Sequence, residues 1–226
     1  MYFFLLLRIL VRATPSRGLR SNTPNHNNFQ LVNVTDLQLQ VLEVLANAME
    51  KRLEDPLFNS RSHLCPKRQH QVTNSLEVTT LLTPAIHDCA QELLALSSKS
   101  DGIPRLCHRA LVNDYSTEKV FSSKLIRLPT MVPHRDPVGD ADVSIVIGLS
   151  ERSSYSGALL YVSNKPDGSF EYIDQDPDQV RLRSATGVDV YRGRAVILYN
   201  HPWHFVSYLQ NGRRSSLVLH MRPNLQ

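Results

Sequence analysis

From Arg105 to Pro223 the period of the apolar residues shifts toward two, in short runs broken by turn residues, and this limits the second half of the chain to β architecture. The strands expected from this pattern are 106–112, 119–128, 143–149, 157–163, 169–173, 179–183, 188–199, 204–210 and 214–221. Lys165-Pro166-Asp167-Gly168 reads as a turn and Asn211-Gly212 as a hairpin. The run 143–149 is almost wholly apolar, so its strand should be covered on both faces. In the last strand, alternation sends Arg214, Ser216, Val218 and His220 to one face and Arg213, Ser215, Leu217 and Leu219 to the other.

Two helices precede these strands. Thr35-Asp36-Leu37-Gln38 fits a capping box, and Leu37, Val41, Leu42, Val44, Leu45, Ala48, Met49 and Leu53 continue at helical spacing as far as Pro56. Thr83-Pro84 is expected to open the second helix, with threonine at the N-cap and proline in the first turn, and Asp101-Gly102 to close it. Ile86, Ala90, Leu93 and Leu94 form its apolar stripe, and His87 should be exposed in its first turn. The stretch 56–75 between them, with His63, Cys65 and His70, reads as a solvated loop. Eight or nine short strands after two helices argue for a mainly β jelly roll, a double-stranded β-helix with its N-terminal helices packed on one side. At 226 residues and 25.6 kDa one domain is expected, 31–226, with helices over 35–100 and the jelly-roll core at about 105–223.

Chemistry concentrates at four positions. His134 and Asp136 are two residues apart, so extended backbone points both side chains the same way. A second histidine, His204, follows seventy residues later, and Arg214 ten beyond that. Two imidazoles and one carboxylate suit one face of a six-coordinate iron(II), leaving the opposite face open. A buried Arg214 needs an anionic partner, and a bidentate carboxylate is the natural one.

These residues resemble the 2-oxoglutarate- and iron(II)-dependent oxygenase superfamily, and within it the prolyl 4-hydroxylase-like branch. The likeness runs from about Lys119 to Pro223 and includes Gly157-Ala158-Leu159 and Gly193-Arg194-Ala195 as strand motifs. It implies His134, Asp136 and His204 as metal ligands, with Arg214 and Ser216 (from Arg214-Ser215-Ser216) contacting 2-oxoglutarate. It further implies a dioxygenase that hydroxylates a substrate C–H bond, most readily a peptidyl proline, consuming O2 and releasing succinate and CO2, with ascorbate as an accessory reductant. A tyrosine ahead of the H-x-D strand often contacts 2-oxoglutarate in the family. Residues 124–129 here hold none, which leaves Arg127 and Tyr199 as substitutes. The family often has Gly-Gly where this chain has Ser156-Gly157. These two departures keep open an inactive jelly-roll binding protein, a small-molecule hydroxylase, and a cupin-like metalloenzyme that uses no 2-oxoglutarate. His201, Trp203, Asp140 and Asp142 are further candidates for the rim or lining of the site.

The remaining features narrow the class without naming a substrate. Net charge is +4 with no dense basic run, so nothing calls for a nucleic-acid partner. Cys65, Cys89 and Cys107 form no C-x-x-C, which argues against a zinc knuckle and leaves one disulfide with a spare thiol open. Residues 1–30 read as a basic, apolar-start leader or a disordered tail, and the apolar run 2–7 is too short to span a bilayer. Arginines follow that run and no acidic residue precedes Asp36, a pattern closer to an organelle transit peptide than to a secretory signal.

Overall fold

The structure is a computed structural model and describes residues 28–43, 67–71, 76–99, 101–116, 131–136, 141–165 and 185–224. Its elements in chain order are β1 (Phe29–Asn33), helix α1 (36–43 as described), β2 (Lys67–Gln71), α2 (Leu76–Ala95), β3 (Arg105–Ser116), β4 (Met131–His134), β5 (Val143–Gly148), β6 (Tyr155–Gly157), β7 (Leu160–Ser163), β8 (Ala185–Val188), β9 (Arg194–Tyr199), β10 (His204–Val206) and β11 (Leu209–Pro223). The strands make two antiparallel sheets. The larger runs β1-β9-β5-β11-β3-β2 with β6 on the N-terminal end of β11, and the smaller runs β4-β10-β7-β8. This is the expected double-stranded β-helix with helices on one side.

Alternation in the larger sheet divides the interior into two apolar layers. Val143, Ile145, Ile147, Ala195, Ile197, Leu217 and Leu219 face the helices and meet Leu39, Leu42, Ile86, Ala90, Leu93 and Leu94. Val146, Val196, Leu198 and Val218 face the smaller sheet and meet Leu160, Val162 and Val206. The six residues of β5 are all buried, because this strand lies between β9 and β11 with a layer on each face. Pro133 is tolerated in β4 because that strand sits at an edge of its described sheet.

The capping box at α1 forms as expected. The Thr35 amide donates to Gln38 Oε1 at 3.0 Å and the Gln38 amide to Thr35 Oγ1 at 3.3 Å. The second helix differs: α2 starts at Leu76 and passes through Pro84. An interior proline costs about 3 kcal/mol, and burying Ile86, Ala90, Leu93 and Leu94 on the sheet outweighs it. His87 is half-buried rather than exposed, and its Nδ1 accepts the Cys107 amide at 2.9 Å. Burial pulls its pKa down.

Several strand expectations also change. Asn211-Gly212 makes no hairpin. Both residues lie within β11, where a register shift between Leu209 and Asn211 marks a bulge. Gly212 has φ +86°, and a Cβ there would stand 2.0 Å from the Ser154 carbonyl oxygen, so the glycine serves close backbone packing of β6 on β11. The stretch 188–199 divides between β8 and β9, which belong to different sheets. The stretch 157–163 breaks at Gly157 (φ +76°) and Ala158 (φ 51°), between β6 and β7. β3 runs four residues past its expected end, and β1 and β2 were not foreseen. β1 begins inside the expected leader, and β2 falls within the expected loop. Arg127, Asp140, Cys65, His63, the helical positions past 43 and the strands expected at 119–128, 169–173 and 179–183 lie outside the described residues. Cys89 and Cys107 carry free thiols. No helix among the described residues is long and apolar enough to cross a membrane.

Candidate metal centre

β4 and β10 pair antiparallel with His134 directly opposite His204. Opposed ladder positions bring Cβ atoms to about 5 Å, and the two imidazole centroids stand 4.2 Å apart at 58°. Asp136 follows the end of β4 on the same side as His134, with its Oδ1 4.0 Å from His134 Nε2. One donor atom from each of His134, Asp136 and His204 falls within 4.8 Å of the others, and no other such trio of histidine, cysteine or acidic side chains occurs among the described residues. The donor set, two imidazoles and a carboxylate on one side of a cavity, fits a facially bound iron(II).

The neighbouring groups fix which atoms of these side chains are available. Ser144 on β5 donates its hydroxyl to Asp136 Oδ2 at 2.6 Å, which leaves Oδ1 facing the histidines. His204 Nδ1 donates to the Pro202 carbonyl at 3.0 Å, which leaves the Nε2 lone pair for a metal. His201 adopts a positive φ of 49° and sets its Nδ1 3.3 Å from the Asp136 backbone carbonyl, so it braces the loop rather than competing for the centre. Burial alone would raise the Asp136 pKa. The nearby His204, then His220, the Ser144 hydroxyl and His134 reverse this and hold it below the usual carboxylate value. The carboxylate is therefore ionised and ready to ligate at neutral pH.

From this trio a cavity extends between the sheets, lined by Val146, Leu160, Val206 and Val218 and reaching Ser216 and Arg214. Arg214 is 1% exposed, and none of its three guanidinium nitrogens finds a hydrogen-bond partner among the described residues. Its guanidinium carbon lies 5.9 Å from the centre of the Tyr115 ring, a cation–π contact. Such a contact uses none of the N–H donors, and a carboxylate would accept two of them in a bidentate pair. The expected parity of β11 thus holds: Arg214 and Ser216 face the cavity, whereas Arg213 points away and pairs with Asp114.

No tyrosine occurs in 124–129, but one lines the cavity from β3. Tyr115 on β3 sits opposite Arg214 in the ladder and lines the cavity. Tyr155 stands on the other side of Arg214 and donates its hydroxyl to Asp189 at 2.9 Å. Burial pushes the Tyr155 phenol up to about 12, against the pull of Arg214. Tyr199 does not serve this role: it packs in the helix-facing layer and hydrogen-bonds Ser97. Asp142 is held by Arg105 at 2.7 Å and takes no part in the cavity. Trp203 lies beneath the Arg135 guanidinium, outside the cavity lining. Ser144, Tyr115 and His220 escaped the sequence reading as site residues, because only strand register brings Tyr115 and His220 to the cavity and Ser144 to Asp136. The one signal for His220 was its shared parity with Arg214.

No family model matches the chain, and no curated protein matches it. Solved structures do. A prolyl hydroxylase from Trichoplax adhaerens, in complex with a hypoxia-inducible factor peptide fragment, superposes with a TM-score of 0.52 at 12% identity over 86% of this chain and 83% of its own. A prolyl-4-hydroxylase from Pseudomonas putida gives 0.51 at 15% over 88% and 94%. The non-heme α-ketoglutarate-dependent epimerase SnoN of nogalamycin biosynthesis gives 0.56 at 17% over 88% and 79%. At these identities the likeness establishes the fold: the chain has the double-stranded β-helix of the 2-oxoglutarate/iron(II) oxygenases, and prolyl hydroxylases are among the structures that share it.

Proposed function

We propose that the protein is a 2-oxoglutarate- and iron(II)-dependent dioxygenase that hydroxylates a C–H bond, with a peptidyl proline as the favoured substrate. The observation that carries this reading is a single cavity with the His134, Asp136 and His204 donors at one end and, at the other, the buried Arg214 guanidinium, which has no hydrogen-bond partner among the described residues. A cupin-like metal enzyme without 2-oxoglutarate has no evident need for that cation, and an inactive binding protein has no need for the donors.

Iron(II) with 2-oxoglutarate and O2 supplies the oxidising chemistry, in which one oxygen atom enters the substrate C–H bond as hydroxyl and the other leaves in succinate, alongside CO2. The protein's part is positioning and shielding. His134, Asp136 and His204 would hold the metal. Arg214, with Ser216, would hold the far carboxylate of the co-substrate and so direct its keto-acid end toward the metal ligands. Val146, Leu160, Val206 and Val218 keep water from the cavity wall. The His134 side chain is 34% exposed while His204 is buried, so the centre opens to substrate beside β4. Peptidyl proline gains support from the prolyl hydroxylases that share the fold, one of them solved with a peptide bound. Because an epimerase shares it too, product analysis is part of the test.

Anaerobic addition of iron(II) and 2-oxoglutarate should produce the weak visible charge-transfer band of a chelated keto acid. The band should vanish in His134→Ala, Asp136→Ala and His204→Ala. Aerobic turnover should release succinate, with a gain of one oxygen atom on a proline-containing peptide. Metal binding without the band would favour the cupin-like reading, and folded protein that binds neither would favour the inactive jelly roll. Succinate formation with a small molecule as the hydroxylated product would displace the peptide.

A further inference from the structure

Beyond the cavity, the ends of β3 and β11 carry a face that the assignments above leave unused. Ala110, Leu219 and Met221 belong to the layer beneath the helices and Cys107 packs on it, so alternation turns their neighbours Arg109, Leu106, His220 and Arg222 to the cavity side. The ladder pairs Arg109 with His220 and Leu106 with Arg222, with a bulge between the two pairs. His220 lines the cavity together with His134, Asp136 and His204. Arg222 stands about 7 Å further along β11. The face therefore begins beside the metal donors and runs outward from them, in the direction opposite to Arg214.

Its chemistry differs from that of the cavity wall. Leu106 is 44% exposed and Arg222 is exposed as well, while Arg109 is half-buried. Asp101 and Asp142, at the same end of the strands, both bind Arg105, each at 2.7 Å. Arg105 has the parity of Cys107, so it draws these carboxylates toward the helix side of the sheet. The cavity side keeps two guanidiniums with an exposed leucine beside them. A guanidinium pairs a carboxylate through two parallel N–H bonds, so this face suits carboxylates next to an apolar group. Arg109 and Arg222 are offset diagonally, by one strand and about two residues, a distance close to the roughly 7 Å between alternate side chains of an extended peptide. A chain carrying two acidic side chains fits that offset better than a single carboxylate does.

We propose that this face docks an acidic peptide: Arg109 and Arg222 each receive a carboxylate side chain, Leu106 receives an apolar residue beside them, and the same chain carries its reacting residue to the metal donors. Docking here rests on the dioxygenase reading and names its substrate class, a peptide in which acidic residues lie close to the one that is hydroxylated. The two cations also steer such a chain toward the centre.

The test is binding of two fluorescent peptides to the full chain loaded with Mn(II), read by anisotropy. Both peptides centre on a proline, flanked on each side by glutamates in one and by glutamines in the other. The glutamate peptide should bind about tenfold more tightly, and the preference should shrink between about 50 mM and about 500 mM salt. Arg109→Gln and Arg222→Gln should each reduce the preference about two- to fivefold, the range of partly exposed ion pairs, with Mn(II) and 2-oxoglutarate binding as in wild type. Arg222 is exposed, so its variant decides the matter even where Arg109→Gln fails to fold. Arg213→Gln removes the same charge from the opposite face of β11 and should leave the preference intact. Equal binding of the two peptides, or binding of neither, overturns the docking face. So does a loss in Arg213→Gln as large as in the other two, because net charge alone would then be at work. The dioxygenase reading fails separately: protein that prefers the glutamate peptide yet forms no keto-acid band with iron(II) and 2-oxoglutarate keeps the docking face and loses the chemistry.

Discussion

On the outer face of β11, Arg213 makes two 2.8 Å hydrogen bonds to the Asp114 carboxylate while its side chain stays 58% exposed. One residue further on, Arg214 is 1% exposed and meets no hydrogen-bond partner among the described residues. The two side chains are chemically identical and leave the same strand on opposite sides. The rest of the strand follows them. Leu217 and Leu219 close the dry layer beneath α2, whereas Ser216 and His220 join Arg214 in the cavity. One face is satisfied by the protein itself, and on the other the Arg214 guanidinium has no hydrogen-bond partner among the described residues. A buried guanidinium without a partner is costly, so this is the face on which the proposed co-substrate would bind.

The contrast can be tested by removing its members. The largest effect on folding should come from the dry side. Leu219→Ala deletes a fully buried side chain beneath the helices and should cost about 2–5 kcal/mol in urea unfolding, while the fraction still folded binds metal normally. Loss of metal affinity without loss of stability would show that the two faces are not separate. Next comes Arg214→Met. It should weaken 2-oxoglutarate binding about 100-fold, as two charge-assisted hydrogen bonds at roughly 1.5 kcal/mol each are lost, and the unliganded protein should be no less stable. A lower melting temperature with intact binding would make Arg214 a structural residue.

Ser144→Ala probes the support of the metal ligand. It frees Asp136 Oδ2 and should reduce metal affinity about 10–100-fold, with Ser144→Thr restoring it, both read by Mn(II) titration. Unchanged affinity in Ser144→Ala would mean that the 2.6 Å hydrogen bond does not orient the carboxylate. The smallest effect is expected at Arg213→Ala, about 1 kcal/mol or less, because the ion pair it breaks is exposed. Binding of 2-oxoglutarate should be unaltered, and a loss comparable to that of Arg214→Met would erase the distinction between the faces.

Much of this arrangement was legible before any coordinates. Alternation along 214–221 assigned the two arginines to opposite faces, and the two-residue spacing of His134 and Asp136 set them on one side of an extended segment. The capping box at Thr35 also formed as read, since its partners are three residues apart. Features that depend on distant partners were misread. The strand expected at 106–112 runs on through Asn113 and Asp114, because β11 pairs with them in register and Arg213 and Ser215 fasten Asp114. Thr83-Pro84 looks like a helix start, yet the sheet beneath sustains a helix through the proline. Asn211-Gly212 looks like a hairpin, yet its glycine admits the Ser154 carbonyl.

The sequence by itself determined the strand period, the two-helix prelude, the H-x-D pair and the parity that separates Arg214 from Arg213. All of these follow from backbone geometry repeating over a few residues. Only the tertiary structure decided that His204 stands opposite His134, that Ser144 takes one oxygen of Asp136, and that Tyr115 and Asn113 share the cavity with Arg214. Those placements are set by register between strands up to about a hundred residues apart. Register is chosen by the burial of whole strand faces, and no local pattern encodes it.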